Sequence, residues 1–126
     1  MTETQLTSKL KADLLTFNCK VYVLAASMRQ TKGVSDRFIC HSLWCGTIEF
    51  KGPKTGVTSA QKRFIMDANR DGITKAVMVR FTDPNDWTKG LINDAIEWSS
   101  PRGLLEALAE LRKKDYERKY LGQSLE

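Results

Sequence analysis

The sequence predicts an α/β protein, a mixed sheet flanked by helices, and three observations carry that prediction. Leu6, Leu10, Leu14 and Phe17 recur at helical spacing. Short runs rich in β-branched and aromatic residues follow, and a capping box opens a further helix between two of them. A helix joining two strands makes a right-handed crossover that sets those strands parallel. The hairpin-like connections elsewhere call for antiparallel neighbours, hence a mixed sheet.

Taken in order, residues 3–17 form an amphipathic helix whose stripe is Leu6, Leu10, Leu14 and Phe17. Residues 21–26 read as a buried strand, and residues 29–33 as a short basic connection. A second strand spans 37–41. A tight connection over 43–46 leads to a third strand, 47–51, in which polar and apolar residues alternate with period two. Gly52-Pro53-Lys54-Thr55-Gly56 ends it, because proline cannot donate to the ladder. Thr58-Ser59-Ala60-Gln61 has the form of a capping box, so a helix starts there, runs to about Arg70 and stops at Gly72. Residues 76–81 are a fourth strand. Asp83-Pro84-Asn85-Asp86 is read as a turn into a helix ending near Trp98. Ser100 and Pro101 begin a last helix with Leu104, Leu105, Leu108 and Leu111 inward.

At 126 residues, 41% apolar, the chain is expected to form one domain, 1–126, with a core over about 3–81 and C-terminal helices over about 84–120. The longest apolar run, 21–26, is far short of the roughly 20 residues that span a bilayer, so a soluble, cytoplasmic protein without membrane partners is expected. Cys19, Cys40 and Cys45 are an odd set with no export signal, which points to reduced thiols. Cys40, His41 and Cys45 supply three ligands where a structural zinc takes four, so no zinc site is assigned. The net charge of +5 is unevenly spread. From Arg29 to Arg63 there are seven basic residues and two acids; outside that window 13 bases and 13 acids cancel. A polyanion would use such a stretch, and a solvated basic face is its bland counterpart.

Asp36, Glu49 and Lys51 are the residues that suggest chemistry. Glu49 and Lys51 share one face of a strand. A hairpin centred between Leu43 and Trp44 would set Asp36 opposite Lys51, and a slip of one residue would send it to the other face. Two neighbouring carboxylates repel unless a cation lies between them, and their oxygens suit Mg²⁺ or Mn²⁺, with the Phe50 backbone carbonyl as a further ligand. Such an ion lowers the pKa of bound water and neutralises phosphoryl oxygens, while a lysine beside it stabilises developing charge.

Gly33-Val34-Ser35-Asp36-Arg37, then Ile48-Glu49-Phe50-Lys51-Gly52-Pro53, Thr58-x-x-Gln61 and Val77-x-Val79-Arg80 together resemble the VRR-NUC branch of the PD-(D/E)xK nucleases. The resemblance spans residues 33–81. It implies a restriction-endonuclease-like core with a C-terminal helical extension, and metal-dependent cleavage of DNA that leaves a 5′-phosphate and a 3′-hydroxyl. By it, Asp36 and Glu49 are metal ligands, Lys51 is the catalytic lysine and Gln61 is an active-site residue. It also implies a homodimer acting on branched DNA similar to a Holliday junction, with DNA repair or phage functions, and no organic cofactor.

Two positions depart from the family pattern. Ser35 stands where proline is common, and Thr7 occupies the register of an acid that related enzymes supply from the first helix; Glu3, one turn earlier, is left outside the site. Arg29, Lys32, Lys54 and Lys62 are the candidate DNA-binding residues, with plain solvated cations as the alternative. Gln61 is fully explained by capping, although both roles can coexist. Arg80 either reaches the site or snorkels at the sheet edge. Two other functions remain open: a non-catalytic basic DNA-binding module on a nuclease fold, and a nuclease of plain duplex DNA.

Overall fold

A computed structural model describes residues 1–24, 33, 35 and 37–121. Among them the order is α1 (Glu3–Leu15), β1 (Val21–Val23), β2 (Arg37–Cys40), β3 (Cys45–Lys51), α2 (Ser59–Ala68), β4 (Ala76–Asp83), β5 (Asp86–Ile92), β6 (Ile96–Trp98) and α3 (Pro101–Tyr116), which runs on into a π-helical turn at Glu117–Leu121. The chain is thus mixed α/β. Its six strands form one sheet in sequential order β1-β2-β3-β4-β5-β6. Only β3 and β4, joined through α2, pair in parallel; every other neighbouring pair is antiparallel.

Local chemistry starts each helix. Thr2 and Gln5 form a capping box at α1, Thr58 and Gln61 form the expected one at α2, and the Ser100 hydroxyl accepts from the Gly103 amide at α3 with proline in the first turn. Asn69 closes α2: its side-chain oxygen accepts from the Lys75 and Ala76 amides and its nitrogen donates to the Ala76 carbonyl. That side chain ties the helix end to the first residue of β4.

Period two in the strands then decides which side of the sheet each residue takes. Ile48, Phe50, Val77, Val79 and Phe81 share one core with Leu6, Leu10 and Leu14 of α1 and Leu104, Leu105 and Leu108 of α3. Each of those fully buried leucines contributes about 1.5–3 kcal/mol of hydrophobic stabilisation. Glu49 and Lys51 alternate to the opposite side, which α2 partly covers without burying any residue of its own completely.

The segment expected to be a helix ending near Trp98 is instead the β5–β6 hairpin. Asn93 and Asp94 both have positive φ, 54° and 55°, and with Ala95, whose amide donates to the Ile92 carbonyl, they make the three-residue connection between the paired Ile92 and Ile96. Asn93 also exchanges hydrogen bonds with Met78, donating from its amide and accepting at its side chain. The β2–β3 hairpin turns one residue earlier than expected: Arg37 faces Ile48 and Cys40 faces Cys45, so its centre lies between Ser42 and Leu43. β1 ends at Val23, and residues 25 and 26 of the expected strand lie outside the described residues. Among the described residues no helix is long and apolar enough to cross a membrane.

Candidate active site

Glu49, Lys51 and Gln61 come together at the end of β3. Glu49 and Lys51 are two apart and share a side of the sheet, opposite Met78 and Arg80 of the parallel neighbour. The Lys51 ammonium lies 3.6 Å from Glu49 Oε1, and their side chains are only 9% and 13% exposed. Gln61 reaches the same carboxylate from the first turn of α2, its Nε2 donating to Glu49 Oε1 at 2.9 Å. Its Oε1 meanwhile accepts from the Thr58 amide at 3.0 Å, so one side chain both caps the helix and meets the acid. The capping box fixes the first turn of α2 and thereby aims Gln61 at β3.

The peptide at Gly52, just past Lys51, is held from both ends. Its amide donates to Glu3 Oε2 at 3.1 Å and its carbonyl accepts from Arg80 Nη1 at 2.8 Å. Arg80 Nη1 also donates to the Thr55 carbonyl at 2.7 Å, while Arg80 Nε pairs with Asp94 Oδ1 at 2.7 Å. Arg80 therefore does more than snorkel at the sheet edge. It clamps the loop after β3 to the β5–β6 turn. Gly33, at φ 89°, packs so closely on the start of α2 that a Cβ there would run into the Ala60 carbonyl oxygen.

Sequence reasoning left Glu3 out of the site, but the fold brings it to a cavity of about 220 Å³ that Glu49, Phe50, Thr7, Lys11 and Arg37 also line. Only tertiary packing could reveal this, since Glu3 and Gly52 are 49 residues apart. Lys11 and Arg37 are the cations that sequence reasoning missed here. Lys54, in the loop after β3, and Lys62, in the first part of α2, are both exposed. Asp36, Arg29 and Lys32 lie outside the described residues.

The oxygen donors at hand are the Glu49 carboxylate, the Phe50 carbonyl and the Glu3 carboxylate, a hard set whose chemistry fits Mg²⁺ or Mn²⁺. Among the described residues no three His, Cys, Asp or Glu side chains form a metal-binding group. His41 is engaged by its own hairpin and by the turn after α1, with Nε2 bonded to the Phe17 carbonyl and Nδ1 accepting from the Leu43 amide. No family model matches the chain, and no curated protein and no solved structure matches it either.

Proposed function

We propose that this chain is a divalent-metal-dependent DNA endonuclease on a PD-(D/E)xK-type core, acting as a homodimer on branched DNA. The observation that carries the reading is the Glu49 carboxylate, held between the Lys51 ammonium and the Gln61 amide in a largely buried setting. A low-dielectric surrounding strengthens what each of these groups does to a phosphate. The parallel β3–β4 pair with its intervening helix supports the reading, as does the sequence pattern from Gly33 to Arg80.

In this proposal Glu49, with Asp36 and the Phe50 carbonyl, would hold Mg²⁺ or Mn²⁺. An ion held there would supply an acidified water and would neutralise phosphoryl oxygens. Gln61 fixes the orientation of the Glu49 carboxylate through its Nε2–H. Lys51, short of water and already beside Glu49, stabilises the negative charge that builds on the phosphate. Lys54 and Lys62, with Arg29 and Lys32, bind flanking phosphates, so affinity falls with salt.

The test is cleavage of labelled four-way-junction, flap and linear duplex DNA in Mn²⁺, Mg²⁺ or EDTA, with Glu49→Ala and Lys51→Ala as controls of verified fold. Metal-dependent cutting lost in both variants supports the proposal, and the rates rank the substrates. Binding without cutting in any metal replaces it with a non-catalytic DNA-binding module.

A further inference from the structure

Cys40 and Cys45 stand directly opposite one another where β2 turns into β3, and both are exposed. The next pair along the hairpin is joined by the His41 amide donating to the Trp44 carbonyl at 2.9 Å. Antiparallel pairs alternate between hydrogen-bonded and non-hydrogen-bonded, so Cys40 and Cys45 form a pair of the second kind. Residues in such a pair have Cα atoms about 4.5 Å apart with their side chains close, inside the range of about 4.4–6.8 Å that a disulfide spans. The two thiols already interact. A hydrogen bond with Cys40 is the main cause that raises the Cys45 thiol above its ordinary pKa, ahead of desolvation.

The remaining chemistry around the pair narrows what it can do. His41 alternates to the other side of the strand and both its ring nitrogens are engaged, so it adds no third ligand to the thiols. Cys19 is fully buried in the main core, away from this solvent-facing pair. What remains is an accessible dithiol of fixed geometry.

We propose that Cys40 and Cys45 are a reversible dithiol–disulfide site whose co-substrate is the disulfide of a small thiol. The Cys40 thiolate attacks one sulfur of that disulfide, forming a mixed disulfide and expelling the first small thiolate. The Cys45 thiolate then attacks the Cys40 sulfur and expels the second. The two cysteine protons end on the two released thiols, the protein is oxidised by two electrons and the small disulfide is reduced. The hairpin has already brought the two sulfurs together, so the second attack is intramolecular and the mixed disulfide short-lived. The new bond would tie β2 to the first residue of β3, whose carbonyl Arg112 of α3 already holds at 2.6 Å.

The site does not depend on the nuclease reading and its test has a separate readout. The reduced full chain is incubated with oxidised glutathione, quenched in acid, alkylated under denaturing conditions and mapped by mass spectrometry. The expected product has lost two hydrogens, carries one Cys40–Cys45 crosslink and one alkylated thiol at Cys19, and reverts with excess reduced glutathione. Cys45→Ser is expected to retain one glutathione on Cys40, since nothing resolves the mixed disulfide. Lasting glutathione adducts on the wild-type chain, a crosslink that includes Cys19 or joins two chains, or three alkylated thiols would each overturn the proposal.

Discussion

Replacing Gln61 separates the two contacts that this side chain makes. Gln61→Ala removes the acceptor for the Thr58 amide and the donor to Glu49. The Thr58 amide is exposed and water can replace the lost partner, so that half costs only about 0.5 kcal/mol. Glu49 is 13% exposed at its side chain, and losing a hydrogen bond to a charged acceptor there costs about 1.5–3 kcal/mol. The expected total is about 2–3.5 kcal/mol, or roughly 3–5 °C of melting temperature for each kcal/mol in a domain of this size. Gln61→Glu keeps the capping acceptor but sets a second carboxylate against the first. Its destabilisation at neutral pH should shrink as acid protonates one of the pair, because repulsion raises the folded-state pKa above the unfolded one. Thermal melts of both variants across pH, with a double-mutant cycle through Glu49→Ala, measure this directly. If both variants melt within a degree of wild type and the cycle shows no coupling, the reasoning about this contact is refuted.

Two further outcomes follow from other contacts. Arg80→Ala leaves the Gly52 and Thr55 carbonyls and Asp94 without their shared cation, so a loss of about 2 kcal/mol or more is expected, with faster tryptic cleavage after Lys54; unchanged digestion would contradict the clamp. Burial pushes the Cys19 thiol up to about 11 from an ordinary value near 9. The folded state therefore favours the thiol form, which adds stability fully present below about pH 9 and lost as pH rises through 11. A native thiol titration should count two fast thiols, Cys40 and Cys45, with Cys19 reacting only on unfolding and alkaline stability improved by Cys19→Ala relative to its own neutral value.

The parts of the fold that obey short-range rules were legible in the chain. Alternation put Glu49 and Lys51 on one side of a strand, and a four-residue capping box placed Gln61 at the start of α2, because both rules act within a turn or two of backbone. The β5–β6 hairpin carried a local signal too, in Asn93-Asp94. Asp83 to Asp86 is a turn as expected, but it leads into β5 and not a helix, and two consecutive left-handed residues at 93 and 94 suit a hairpin turn and end a helix.

What the sequence by itself determined was the mixed α/β class, the parallel crossover through α2, the placing of Glu49 and Lys51 on one face of a strand and the capping role of Gln61. Tertiary structure alone decided that Gln61 bonds to Glu49, that Glu3 and Arg80 grip the two ends of the Gly52 peptide, and that Cys40 meets Cys45. Hairpin register and long-range hydrogen bonds depend on how whole faces pack, and moving a turn by one residue changes every cross-strand partner while leaving the local pattern intact.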